Sequence, residues 1–296
     1  MRIAAIGCSH TSGYHVDDMP EAKEDMTQEH WPYSGKWNNN NWAEHYINSK
    51  DADGVIFANP QNGWWTYSEW LSHLFKTYDD IKEVVVQMTY WNRFRLSIQF
   101  PTHYENIVPL DATYVKELTK GRIDCWYPAN QTNDGSVNDI PMQVWPMDFQ
   151  KEVPFKTMYD PDFKLAKPDL RSESYMTVKT WMEVMSLKAQ REWFKEMYIL
   201  QELCRNNGAE LKLFSLNKWT WIPDEMLIPK LRNSFYNFDY IQVATNHVEE
   251  WFLREKNVDI TKETIDGEHF GEDIHKIIAL EYLPQQFERK SNVQQS

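Results

Sequence analysis

The chain has 296 residues, enough for one α/β domain that carries an insertion. At 42% hydrophobic and 15% aromatic residues it has ample material for a core, and its composition is not that of a disordered chain. The formal charge of −13 argues against nucleic acid and anionic membrane surfaces as partners, because the long-range field of the protein opposes both.

The opening run Met1-Arg2-Ile3-Ala4-Ala5-Ile6-Gly7 is too short and too weakly apolar for a signal peptide and predicts a buried strand over residues 2–6. No apolar run approaches the ~18 residues that a membrane-spanning helix needs. The three cysteines, Cys8, Cys125 and Cys204, have neither metal-ligand spacing nor the density of a disulfide scaffold, so a reducing, cytoplasmic setting is expected. After the first strand comes a small polar loop, Gly7-Cys8-Ser9-His10-Thr11-Ser12-Gly13. Asn38 to Asn41 lead into Trp42-Ala43-Glu44-His45-Tyr46-Ile47, which reads as a short helix. Asp53-Gly54 turns into a second strand at Val55-Ile56-Phe57-Ala58. Residues 65–77 have helical spacing, with Trp65, Trp70, Leu71, Leu74 and Phe75 on one side. Glu83 to Met88 is β-branched and apolar enough to be a central strand. Alternating strands and helices at this spacing predict a parallel α/β sheet.

Between residues 97 and 176 this pattern dissolves. Eight of the 14 prolines fall there, with turn pairs such as Asp134-Gly135 and Asp160-Pro161, and a loop-rich insertion forming a wall or lid is expected. The predicted division is therefore a core in two parts, 1–96 and 177–287, the insertion 97–176 between them, and a polar, frayed tail over 288–296. From Thr177 apolar residues return every three or four positions: Val178, Trp181, Met182, Met185, Ala189, Trp193, Met197, Leu200 and Cys204. Asn206-Asn207-Gly208 then stops that helix. Leu211 to Leu216 predicts another strand. Thr264 to Gly271 leads into a last helix marked by Ile274, Ile277, Ile278 and Leu280.

In an open parallel sheet, ligands bind beyond the carboxyl ends of the strands. Ser9 falls at that edge, three residues past the first strand. A serine becomes a nucleophile only beside a base, and the base needs an acid to orient it. Asp266 and His269, three apart before the last helix, can supply both from one turn. Taken singly, each has an ordinary explanation: Ser9 as a helix cap, Asp266-Gly267 as a turn pair. Their joint placement at ligand-facing strand ends is the informative feature.

Gly7-Cys8-Ser9-His10-Thr11 after an N-terminal strand resembles the first block of the SGNH/GDSL hydrolases, and Asp266-Gly267-Glu268-His269 resembles that family's closing Asp-x-x-His block. Gly63 after the second strand and Asn92 after the third stand where the family places its glycine and asparagine. The resemblance covers residues 1–96 and about 177–285. It implies a flavodoxin-like, three-layer α/β/α sandwich and ester or acetyl hydrolysis through an acyl-serine, without a metal or cofactor. It also implies Ser9 as nucleophile, His269 as general base and then acid, and Asp266 as orienter. The implied oxyanion hole is made of the Ser9 and Gly63 backbone N–H groups and the Asn92 side chain. The chain departs from the pattern at two positions: Cys8 replaces the usual aspartate, and Tyr90 stands where a glycine normally precedes the asparagine by two. Asn59 and Asn62 are rivals to Asn92.

The sequence also weighs against other chemistries. No Gly-Lys-Ser/Thr follows the first loop and no Gly-x-Gly-x-x-Gly exists, which disfavours nucleoside triphosphates and dinucleotides. His10, His15, Asp17 and Asp18 match no familiar metal spacing and read better as solvated loop residues. Cys8 reads as a small buried hydrophobe sooner than as a reactive thiol. Of the 14 tryptophans most belong in the core, but Trp64, Trp65, Trp91, Trp219 and Trp221 follow strand ends around the expected mouth. Flat rings with a polar N–H suit sugar faces or an acyl pocket, which favours a carbohydrate ester over a lipid ester. The alternative from another class is a non-catalytic binding or assembly protein on the same fold. The chain is similar in its overall look to SGNH-like proteins of bacteriophages, so a virion component with oligomeric or particle partners belongs to that alternative.

Overall fold

A computed structural model describes residues 1–13, 40–58, 64, 67–88, 93–97, 112–119, 122–128, 139–144, 155–157, 192–217, 238–263 and 270–291. The first half runs β1 (Arg2–Gly7), α1 (Ser9–Ser12), α2 (Trp42–Ser49), β2 (Asp53–Ala58), α3 (Tyr67–Thr77) and β3 (Ile81–Met88). Next come β4 (Arg93–Ser97), β5 (Ala112–Thr119), β6 (Ile123–Pro128), β7 (Asp139–Val144) and β8 (Phe155–Thr157). The second half holds α4 (192–206), β9 (Glu210–Ser215), β10 (Ile241–Val243) and α5 (Val248–Trp251), which continues as a π-helical turn over Phe252–Lys256. The last described elements are α6 (Glu272–Ile277), a second π-helical turn over Ile278–Tyr282, and α7 (Leu283–Ser291).

The main sheet has seven strands in the order β10-β9-β3-β1-β2-β6-β5. Six of them are parallel, and only β5, at the edge, runs antiparallel to its neighbour β6. This is an α/β fold. Its centre, β1, is buried on both faces, which explains why Ile3-Ala4-Ala5-Ile6 reads as an unbroken apolar run and does not alternate. Ala4 and Ile6 join Val55, Phe57, Val84, Val86, Leu211 and Leu213 on one face, under α3 and α4. Ile3 and Ala5 join Ile56, Val85 and Phe214 on the other, under α2, α5 and the α6–α7 helix. Gly54 permits the close approach of α2 to β2, because a Cβ there would stand 2.7 Å from two carbons of Ile47.

Helix ends follow from the residues at them. The Asn41 side chain caps α2 by accepting from the Glu44 N–H at 3.0 Å. Helix α4 closes on left-handed Gly208 (φ 64°), with Ala209 N–H donating to the Cys204 carbonyl and Gly208 N–H to that of Arg205. Those two bonds satisfy carbonyls that the helix leaves open, as the Asn207-Gly208 stop predicts. The predicted helix start at Thr177 lies outside the described residues. At the far end, α7 runs to Ser291, past residue 287 where the tail was expected to fray.

The segment 97–176 is not all loop. Strands β5 and β6 are woven into the main sheet, with β6 parallel to β2 from Gly54↔Ile123 to Phe57↔Trp126. Strands β7 and β8 form a separate three-stranded antiparallel sheet with β4. Pro128 and Pro141 disguise these strands as loop in the sequence; Pro128 closes β6, and β7 is the middle strand of the small sheet. Among the described residues no helix is long and apolar enough to cross a membrane.

Below α2, at the amino-terminal side of the sheet, lies a buried ion pair. Lys212 Nζ is 2.8 Å from Glu83 Oε2, with side chains 8% and 13% exposed, and the Tyr46 hydroxyl donates to Glu83 Oε1 at 2.7 Å. Removing Lys212 leaves the Glu83 carboxylate buried without its cation, which costs about 3–5 kcal/mol. Lys212→Met is therefore expected to lower the free energy of urea unfolding by about that much. The double variant Glu83→Gln/Lys212→Met, which removes both charges and keeps an acceptor for Tyr46, should recover most of the loss.

Candidate active site at the carboxyl edge of the sheet

Strand β1 ends at Gly7, and α1 begins two residues later at Ser9, a single helical turn closed by Thr11 N–H donating to the Cys8 carbonyl at 3.0 Å. Ser9 is thereby placed at the carboxyl end of the central strand. The turn folds back over β1 so tightly that a Cβ on Gly7 would stand 2.0 Å from Thr11 Oγ1 and 3.1 Å from Gln87 Cβ. No side chain larger than hydrogen fits there.

Thr11 is fully buried, and its hydroxyl donates to Gln87 Oε1 at 2.6 Å while accepting from Trp42 Nε1 at 3.1 Å. Gln87 Nε2 donates to Cys8 Sγ at 3.1 Å, and the Gln87 carbonyl accepts from the Tyr67 hydroxyl at 2.9 Å. Cys8 is thus a buried side chain packed into this network, and its sulfur serves as an acceptor. Trp42 N–H donates to Nδ1 of the buried His275 at 3.2 Å, which makes Nε2 the protonated nitrogen of the neutral ring.

The two ends of the chain meet beside this turn. The His10 ring lies 5.0 Å from the Phe270 ring and 6.1 Å from that of His275 on α6. His10 follows Ser9 directly, and Phe270 follows His269 directly. Asp266, His269, Gly63, Asn92, Trp65, Trp91, Trp219 and Trp221 themselves lie outside the described residues, as do Asn59, Asn62, His15, Asp17 and Asp18. Trp64 is 3% exposed and packs in the core under α3 and α4. Among the described residues no group of three His, Cys, Asp or Glu is arranged to hold a metal ion.

No family model, curated protein or solved structure matches the chain.

Gln87, Thr11, Trp42 and His275 were not singled out from the sequence. The available signal was Gln87, a polar residue inside Val84-Val85-Val86-Gln87-Met88, where a central strand is otherwise apolar. A buried amide in such a position needs partners, and the loop after β1 supplies them.

A second polar contact ties α3 to α4. Glu196 on α4 accepts from the Ser68 N–H, in the first turn of α3, at 2.6 Å. A carboxylate at a helix N-terminus is normally favoured. Burial dominates here and raises the Glu196 carboxyl to about 7, with the Ser68 bond opposing the rise. Burial likewise raises Glu44 on α2 to about 7. A carboxyl whose folded pKa lies above its unfolded value binds more protons in the folded state. The stability that each of these groups contributes is fully present below pH ~4.5 and is lost as pH rises through about 7. For Glu196, which is 7% exposed, the loss amounts to up to about 3 kcal/mol. Glu196→Gln keeps the acceptor for Ser68, so it should be more stable than the wild type at pH 8 and flatten the decline in denaturant midpoint between pH 5 and 8. An unchanged pH slope would refute this assignment.

Proposed function

We propose that the chain is a serine hydrolase of the SGNH type that cleaves an ester, as an esterase or carbohydrate O-deacetylase. The observation that carries this reading is the contact of His10 with Phe270, which brings the neighbours of Ser9 and His269 to one place at the carboxyl edge of the sheet. The strand order β2-β1-β3-β9-β10, with helices on both faces, supports the flavodoxin-like sandwich that goes with it. In this reading His269 takes the Ser9 proton as Ser9 Oγ attacks the ester carbonyl, then gives it to the departing alcohol. Water repeats the sequence on the acyl-serine, and Asp266 holds the imidazole in the tautomer that leaves one nitrogen free. The Ser9 and Gly63 N–H groups and the Asn92 amide would stabilise the oxyanion. Trp65, Trp91, Trp219 and Trp221 would provide flat walls for a sugar or acyl group.

The second reading is a binding or assembly protein on the same fold, such as a phage particle component. The departures at Cys8 and Tyr90 favour it, since both fall in blocks that a working site uses. Reaction with a fluorophosphonate probe separates the two. Wild-type protein should label, and Ser9→Ala and His269→Ala should not. Hydrolysis of p-nitrophenyl acetate should follow the labelling, and Asn92→Ala should lower its rate by about 10²–10³. Wild-type protein that neither labels nor hydrolyses p-nitrophenyl acetate or acetylated sugars is the binding protein.

A further inference from the structure

We propose that Gln87 and Thr11 are positioning residues for Ser9, clamping both flanks of its turn to the third strand; this rests on the serine-hydrolase reading. One side-chain amide holds the residue before Ser9, through Cys8 Sγ at 3.1 Å, and the residue two after it, through Thr11 Oγ1 at 2.6 Å. The backbone bond from Thr11 N–H to the Cys8 carbonyl at 3.0 Å closes the loop around Ser9. Each donor in the clamp has an acceptor. The Thr11 hydroxyl receives the Trp42 indole N–H at 3.1 Å and so directs its own hydrogen to Gln87 Oε1. Turning the amide round would aim an N–H2 at a hydroxyl that already receives one donor and would take the acceptor away from the Thr11 hydrogen. The orientation of Gln87 is therefore fixed from both sides.

Gln87 is itself held. Its backbone carbonyl accepts from Tyr67 on α3, and its strand is central to the sheet. The Thr11, Trp42 and Gln87 side chains are all at most 1% exposed, so water does not compete for these bonds. Gly7 is the condition for the clamp, since any Cβ there would occupy the place of the Thr11 hydroxyl. The geometry ties the height and direction of the turn above β1 to β3. Attack distance is the quantity such a clamp controls, and a displacement of ~1 Å at a reacting group costs on the order of 10²-fold in rate.

The test measures the second-order rate of fluorophosphonate labelling, together with kcat and KM for p-nitrophenyl acetate, at a temperature where each variant is folded by circular dichroism. Thr11→Val keeps the shape and removes the hydroxyl, and should slow labelling about tenfold or more. The loss should fall in kcat, with KM within about twofold, and Thr11→Ser should restore most of the rate. Gln87→Met should match Thr11→Val, and Cys8→Ala, which deletes one sulfur and is the mildest change, should give a smaller loss of the same kind. A purely structural role would lower the melting temperature without that kcat-specific loss. If the wild type labels and folded Thr11→Val or Cys8→Ala label at the wild-type rate, the clamp is wrong and the hydrolase stands. If the wild type does not label, the hydrolase reading fails and the clamp fails with it.

Discussion

The turn that leaves β1 has nowhere to go except across its own last residue. Strand β1 is flanked on both sides and covered on both faces, so the chain emerging from it meets β3 on one side and the helices above and below. Gly7 gives the turn the space of one missing side chain, and Thr11 fills it. From this single close approach follow the direction of α1, the contact of Thr11 with Trp42 at the start of α2, and the side from which His10 meets Phe270. A larger residue at position 7 would push α1 away from β3 and separate all of these together.

Polarity is divided across the sheet. At the amino-terminal side it is ionic: Lys212 with Glu83, and Arg2 with Asp80 at 2.9 Å. Among the described residues, the buried polar contacts beyond the carboxyl end of β1 are neutral, made by an amide, a hydroxyl, an indole and an imidazole. Neutral groups are less expensive to bury than ions and hold fixed directions. A network of that kind fixes the geometry of the turn after β1 without placing a charge in its interior.

The sequence made the parallel core legible because its signals are local. Strands β1, β2, β3 and β9 are short apolar runs, and the Asn207-Gly208 stop of α4 needs only its own residues. The His10–Phe270 contact is in keeping with strand ends that point one way, while Asp266 and His269 themselves lie outside the described residues. The remainder was hidden for particular reasons. Strand β10 has three residues, Ile241 to Val243, too few for any period to show. Strand β6 carries Asp124, a carboxylate that interrupts the apolar pattern of a strand in the sequence; Tyr78 donates to it at 2.8 Å. Thr11 and Gln87 are 76 positions apart, and no spacing rule joins a loop hydroxyl to a strand amide across that distance.

The β5–β6 pair changes what the middle of the chain is to the rest. Arg122 accepts the Gly54 N–H on its carbonyl and holds Asp51 and Asp53 with its guanidinium, while Asp124 lies near Arg2 and bonds Tyr78. The middle segment is thus stitched to the first strand, to the turn before the second and to the end of α3. Excising it to reach a smaller protein would bare the backbone edge of β2, whose sequence holds Val, Ile and Phe in a row, and exposed apolar edges recruit other chains. Residues 122–124 are thus part of the frame of the core: a deletion that removes them takes the partners of Asp51, Asp53, Gly54 and Tyr78 with it.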